Sequence, residues 1–234
     1  VGAYTQGLEL VPGNPNQYFE STGTYGGSSI RRVELNTSQA LQKHELSDQY
    51  FAEGLTYYLD KDGNERLLQL TWREGVVFRY DAQTLEVLDE LLMDSTTNGE
   101  GWGICFVPGK DIFYVSDGTH YLHKWNASTL ELMDKIPVTY RDTGDDFVAL
   151  EQERLNELEY DVHSDTILSN VWLQNYIVRI DPATGFITHR YDLTPLDRHE
   201  NTDVLNGIAI TDIPNEIWVT GKYWPAMYRI RLID

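Results

Sequence analysis

The sequence predicts an all-β fold, a five-bladed β-propeller with mostly four antiparallel strands per blade, as a single domain over residues 1–234. Three observations predict it. A self-similar unit recurs five times at a spacing typical of propeller repeats, about 40–50 residues. Two columns of residues keep the same register through all five units. Each unit reads as short β-branched and aromatic strands punctuated by Gly, Asp and Asn.

The first column is the second residue of Thr5-Gln6-Gly7-Leu8, Ala52-Glu53-Gly54-Leu55, Gly101-Trp102-Gly103-Ile104, Leu155-Asn156-Glu157-Leu158 and Leu205-Asn206-Gly207-Ile208, with steps of 47, 49, 54 and 50. The second column is Thr24, Trp72, Asp117, Trp172 and Lys222, stepping by 48, 45, 55 and 50. A base follows each of these seven residues later, in Ile30-Arg31, Phe78-Arg79, His123-Lys124, Val178-Arg179 and Tyr228-Arg229, read as the end of a strand.

Within a unit the strands follow in order. Leu67-Leu68-Gln69-Leu70-Thr71-Trp72, Ile112-Phe113-Tyr114-Val115-Ser116 and Glu216-Ile217-Trp218-Val219-Thr220 have strand composition. Fourth strands are expected over 40–46, 85–91, 130–136 and 186–193, each after a turn such as Asn36-Thr37-Ser38 or Asp181-Pro182-Ala183-Thr184-Gly185. No sustained helical period occurs, although residues 149–155 suit one short helical turn. The fifth unit stops at its third strand, Met227 to Leu232. Either upstream residues have been removed from this chain or the last blade has three strands.

Composition narrows the function. The 234 residues hold 18 Lys+Arg and 37 Asp+Glu, for a net charge of −19. That balance argues against nucleic acid, whose phosphates need clustered bases, and suits a neutral or cationic substrate. No apolar run approaches the roughly 18 residues of a membrane span, and no signal peptide is visible. The one cysteine, Cys105, excludes an intrachain disulfide and reads as a small core hydrophobe.

In a propeller the innermost strands line a central channel. The first column sits at the entry of each innermost strand. The second sits near the end of the next, antiparallel strand, so both rings are expected at one mouth. That mouth would hold Glu53, Lys222, Asp117, three amides (Gln6, Asn156, Asn206) and three indoles (Trp72, Trp102, Trp172). The columns differ from blade to blade while their flanks stay alike, as expected of a site grafted onto a symmetric scaffold. A carboxyl beside indole faces is partly desolvated, which raises its pKa and suits it to proton exchange near neutral pH.

These residues resemble the plant and bacterial type of glutaminyl-peptide cyclotransferase, or glutaminyl cyclase. The resemblance covers essentially the whole chain. It rests on Tyr4-Thr5-Gln6-Gly7-Leu8, Phe51-Ala52-Glu53-Gly54-Leu55-Thr56, Gly101-Trp102-Gly103, Leu155 to Tyr160, Asp203 to Ala209 and Val219 to Pro225. It implies a five-bladed propeller that closes N-terminal glutamine to pyroglutamate and releases ammonia. It also implies Glu53 as the catalytic acid/base, with Lys222 and Asn156 as carbonyl or oxyanion partners. Gln6, Trp72, Trp102 and Trp172 would bind substrate, with Phe51, Tyr4 and Asn206 beside them. No cofactor is required. The implied partners are peptides or proteins with an N-terminal Gln, the expected state is a monomer, and the expected location is the secretory pathway, secreted or periplasmic. Two positions depart from the family's usual pattern: Tyr4 stands for Phe and Ala52 for Gly. Relatives usually also have a strand just upstream of this start.

Weaker signals point elsewhere. His44, His120, His123, His163, His189 and His199 lack metal-ligand spacing, so a zinc site is not expected. Asp142-Thr143-Gly144-Asp145-Asp146 lacks the spacing of a calcium loop and reads as a solvated acidic loop, with a structural calcium left open. Asn36-Thr37-Ser38 and Asn126-Ala127-Ser128 fit the N-glycosylation pattern, which has meaning only in a secreted eukaryotic protein. The alternative to an enzyme is a non-catalytic peptide- or sugar-binding propeller. A metal-assisted hydrolase would need several acids or histidines where the first column supplies only Glu53.

Overall fold

Runs of alternating apolar residues joined by tight Asx-rich turns favour antiparallel meanders, and the chain forms five of them in succession. The computed structural model describes residues 2–93, 96–141, 149–197 and 199–233. The first blade comprises β1 (Thr5–Val11), β2 (Asn14–Thr22), β3 (Ser29–Glu34) and β4 (Ala40–Glu45). The second comprises β5 (Ala52–Leu59), β6 (Glu65–Thr71), β7 (Val76–Asp81) and β8 (Val87–Leu92). The third comprises β9 (Ile104–Val107), β10 (Ile112–Val115), β11 (Tyr121–Asn126) and β12 (Leu132–Pro137). A hairpin of β13 (Thr139–Arg141) and β14 (Ala149–Glu151) follows. The fourth blade comprises β15 (Leu155–Asp161), β16 (Thr166–Val171), β17 (Tyr176–Ile180) and β18 (Ile187–Asp192). The last has three strands, β19 (Leu205–Ile210), β20 (Glu216–Gly221) and β21 (Tyr228–Arg231). There is no helix among the described residues. Strands β1, β5, β9, β15 and β19 pack side by side into a closed ring, so the fold is a five-bladed β-propeller.

The core sits between blades. Leu55, Ile30 and Phe78 fill the space between blades one and two. Ile104, Phe113 and Trp125 pack against Leu68 and Leu70 between two and three. Among the described residues the seam between last and first blades is the smallest, with Leu8, Tyr18, Val33 and Ala209 as its buried members. Two backbone and side-chain links reinforce that seam: the Tyr223 amide donates to the Ala3 carbonyl at 2.6 Å, and the Asn206 amide to the Thr5 carbonyl at 3.1 Å.

Three expectations need correction. Residues 149–155 contain no helical turn: Ala149–Glu151 pairs antiparallel with Thr139–Arg141. A non-local backbone partner outweighs the local preference there. The Arg and Lys column lies within the third strands rather than at their ends, and Arg31, Arg79, Arg179 and Arg229 each pair there with an acid. Arg31 pairs with Glu20 at 2.7 Å and Arg179 with Asp161 at 3.2 Å. Two fourth strands begin later than expected, since Leu85 and Leu130 occupy left-handed turn positions (φ 59 and 62) before β8 and β12. The acidic stretch 142–146 lies outside the described residues.

The inner ring closes through backbone contact. The Gly54 amide donates to the Trp102 carbonyl at 2.6 Å. A Cβ on Gly103 would lie 2.1 Å from the Asn156 carbonyl oxygen, so only glycine fits between blades three and four. In the fourth blade the matching position is Glu157, which reaches across the ring to the Leu8 and Ile208 amides at 3.4 and 3.1 Å. Glu159 and Glu9 link neighbouring strands in the same way, through the Ile210 amide at 3.0 Å and the Tyr57 amide at 3.2 Å. Burial pushes all three acids above the ordinary 4.5, Glu9 to about 7.

Two outcomes are expected. Gly103→Ala should lose about 2–3 kcal/mol or fail to fold, because overpacking here meets backbone, whereas Gly63→Ala, in open space at φ +81, should lose only about 1 kcal/mol, the cost of a side chain in the left-handed region. Denaturant titration of both variants checks this; equal losses would contradict it. Groups with raised folded pKa values bind protons that the unfolded chain has released. Stability should therefore fall as pH rises from about 4.5 towards and beyond 7. Melting temperatures measured from pH 5 to pH 8 should decline, and Glu157→Gln should flatten the slope.

Candidate active site

Four of the five innermost strands break register at the same place. The shifts lie between Thr5 and Gly7, Ala52 and Leu55, Leu155 and Leu158, and Leu205 and Ile208. A bulge of this kind re-aims a side chain that regular alternation would send elsewhere. Here it gathers Gln6, Glu53 and Asn156 at one mouth of the channel, around a cavity of ≈ 220 Å³. Trp72, Trp172 and Lys222, each just past the end of a second strand, complete the cavity with Trp102, Tyr4 and Phe51.

Glu53 lies at the base and is 6% exposed. Its Oε1 accepts a 3.0 Å hydrogen bond from Gln6 Nε2. Gln6 Oε1 in turn accepts from Asn206 Nδ2 at 3.0 Å. The chain Asn206 to Gln6 to Glu53 fixes which end of the Gln6 amide faces the carboxyl. Ser21 donates to the Glu53 backbone carbonyl and anchors the bulge.

Burial pushes the Glu53 carboxyl well above its ordinary range; Lys222 opposes the shift, while Glu100 and Glu74 add to it. Lys222 is 4% exposed, and burial lowers its pKa against the pull of Glu53 and Asp203. Its Nζ stands 4.6 Å from the centre of the Tyr4 ring. Burial and the nearby charges of Asp203 and Glu53 raise the Tyr4 phenol to about 12, so it stays neutral. Burial thus acts against the charged form of both the Glu53 carboxyl and the Lys222 ammonium, while each partner's charge favours it in the other. Asn156 Oδ1 is buried without a hydrogen-bond partner.

Aromatic rings form the wall. Trp102 and Trp172 meet edge to face, with centroids 5.6 Å apart. Phe51 joins Trp72 at 5.5 Å and Tyr4 at 6.1 Å. The rings exclude water from one side of Glu53, the geometry that makes its desolvation effective.

Three column residues do not reach the cavity. Asn206 lies fully buried behind Gln6, its Nδ2 spent on Gln6 and the Thr5 carbonyl, so it orients the site from behind and does not line it. Thr24 closes a turn with Ser28. Asp117 turns into the blade, where His123 at 3.0 Å and the Thr97 amide at 2.7 Å hold it. Burial alone would raise its pKa, but bonds from His123 and Thr119 win and lower it to about 2.

Two acids near the cavity were missed by the columns. Glu100 accepts from the indoles of Trp72 and Trp102, and Glu74 from the Phe51 amide at 3.3 Å. The available signal for Glu100 was its place two residues before Trp102. Among the described residues, one group could hold a metal: His120, Glu151 and Glu153. The β13–β14 hairpin brings these together across a long sequence interval, and none of them lines the cavity.

Comparison with known proteins agrees with this geometry. The family model described as glutamine cyclotransferase matches residues 1–232. A glutaminyl-peptide cyclotransferase of Arabidopsis thaliana is 37% identical over 236 residues, covering 98% of this chain and 67% of that protein. The crystal structure of Myxococcus xanthus glutaminyl cyclase superimposes with a TM-score of 0.80 at 31% identity, over 98% of this chain and 90% of that one. Kuenenia stuttgartiensis hydrazine synthase has a TM-score of 0.54 at 15% identity, over 94% of this chain and 56% of that one, and shares the fold alone. With a family model spanning nearly its full length and a 37% identical curated relative, the chain belongs to the glutamine cyclotransferase family.

Proposed function

We propose that this glutaminyl-peptide cyclotransferase works through one carboxyl, Glu53, and without a metal. The observation that carries the reading is the burial of Glu53 as the only carboxyl among the described residues that line an aromatic cavity, with its pKa raised by desolvation. Among the described residues the cavity wall contributes no His or Cys, and one carboxylate is too small a donor set for a zinc site.

The substrate is a peptide with an N-terminal glutamine. Its α-amine nitrogen attacks the side-chain Cδ and closes a five-membered ring. Glu53 takes the proton the amine loses and then donates it to the departing nitrogen. The Cδ–Nε bond breaks, ammonia leaves, and the carbonyl re-forms as the lactam. One group thus serves as base and then as acid, which suits a pKa nearer neutrality than an ordinary carboxyl. Lys222 and Asn156 stand where they can hydrogen-bond the carbonyl oxygen as it gains negative charge. Gln6 donates to one oxygen of Glu53 and leaves the other for substrate. The indoles of Trp72, Trp102 and Trp172 hold the substrate side chain folded towards its own amine.

Glu53→Gln should cut kcat by at least about a hundredfold. It should leave the melting temperature equal or higher at neutral pH, because it removes a buried acid. Ammonia release from an N-terminal Gln dipeptide checks this, and full turnover by the variant would overturn the mechanism. In the wild type, activity should be lost as pH falls through the raised pKa of Glu53, which places the acid limb above the ordinary carboxylate range. A heterocyclic zinc chelator should leave the rate unchanged.

A further inference from the structure

Glu100 lies in the loop between β8 and β9, outside both repeat columns. Its Oε2 accepts the indole N–H of Trp72 and that of Trp102, each at 2.8 Å. Its Oε1 accepts from Arg73 Nε at 2.7 Å, and the Arg73 guanidinium lies 3.8 Å from the centre of the Trp72 ring. The loop that carries it is itself held: Thr96 donates to the Glu100 carbonyl at 2.7 Å, and the Glu100 amide donates to Asn98 Oδ1 at 3.0 Å. The side chain is 14% exposed.

An indole has one N–H donor, directed in the plane of its ring, and no acceptor. A single oxygen that accepts from two indoles therefore constrains the position and tilt of both. These indoles come from different blades, Trp72 after β6 and Trp102 before β9. Both line the substrate cavity. Hydrogen bonds from three donors to an ionised acceptor are the strong kind. Burial alone would raise the Glu100 pKa, but Trp102, Arg73 and Trp72 together hold it below the ordinary carboxylate range.

We propose that Glu100 is a positioning residue of the active site: its carboxylate clamps the Trp72 and Trp102 indoles into one rigid wall across two blades. The proposal rests on the reading of this cavity as the cyclisation site. A glutamine cannot replace the carboxylate. If its oxygen meets the two indoles, its NH₂ faces the Arg73 donor; if it is turned round, it faces the indole donors.

The clamp also carries a fixed negative charge towards Glu53. The groups that face Glu53 are Lys222 from the last blade, Glu74 and Glu100 from blade two and the loop after it, the Gln6 amide from β1, and the Tyr4 phenol. Lys222 favours the carboxylate form of Glu53, and Glu74 and Glu100 disfavour it. Removing the charge of Glu100 lowers the pKa of Glu53, so the acid limb of the pH profile moves to lower pH.

The test is Glu100→Gln, read by three measurements. The Trp72 and Trp102 indole N–H signals, assigned by NMR through Trp→Phe variants, should shift and exchange faster with solvent. The value of kcat/KM should fall about ten- to hundredfold, mainly in kcat, as a loosened wall no longer fixes the attack geometry. The acid limb of kcat/KM should move to lower pH. Unmoved indole signals, or a kcat/KM within twofold of wild type, would overturn the proposal. If the variant does not fold, the wild type supplies the test: both indole protons must be protected from exchange, and rapid exchange of either overturns the clamp. The indole measurement does not depend on turnover. Full activity in Glu53→Gln would therefore sink the proton-shuttle reading and leave the clamp standing, while unmoved indoles with an inactive Glu53→Gln would sink the clamp alone.

Discussion

Close backbone approach at the inner ring is the constraint on which the site depends. Five innermost strands must meet around one axis, and near the mouth they come close enough that the Gly54 amide bonds the Trp102 carbonyl directly. Side chains are excluded from these contacts, so the residues at Gly54 and Gly103 carry none. The register shifts beside them turn the preceding residues towards the mouth. The same local geometry that closes the ring therefore delivers Gln6, Glu53 and Asn156 to a common cavity. Ring closure and the lining of the cavity share one piece of backbone, which explains why the cavity is built on strand entries rather than on long loops.

The electrostatic design follows from where charge is left unbalanced. Arg31 and Arg179, on the third strands, meet their acids directly and serve as structural ties. Glu53 is different. It has an amide donor in Gln6, an ammonium acting on it through Lys222, and two acids that oppose ionisation. Burial is the largest influence on both Glu53 and Lys222, and it drives each towards its neutral form. Deeper in the channel, Glu157 takes the place that glycine holds in the other blades and uses its carboxyl to bond two neighbouring strands. That acid is structural although it lies on the same inner ring.

Legibility in the sequence followed the range of the interactions involved. The two columns were visible because a repeat imposes one local geometry five times, and local geometry writes itself into residue spacing. Nine residues that the sequence placed in the site line the cavity together: Tyr4, Gln6, Phe51, Glu53, Trp72, Trp102, Asn156, Trp172 and Lys222. The failures are instructive for the same reason. Asp117 shares a column with Trp72 and Trp172, yet His123 and the Thr97 amide draw it into the blade. Those partners come from another strand and an upstream loop. The strand at Ala149–Glu151 exists because Thr139–Arg141 lies beside it. Nothing in residues 149–155 alone records that neighbour.

By itself the sequence determined the number of blades, the order of their strands and the ring to which each column residue belongs, because hydrophobic alternation and turn chemistry act over a few residues. Tertiary structure alone decided which members of those rings face the cavity, how far burial shifts Glu53, and that Glu100 joins two indoles from separate blades. Each of these outcomes depends on distances between groups far apart in the chain. Such distances arise only when the five inner strands have closed against one another.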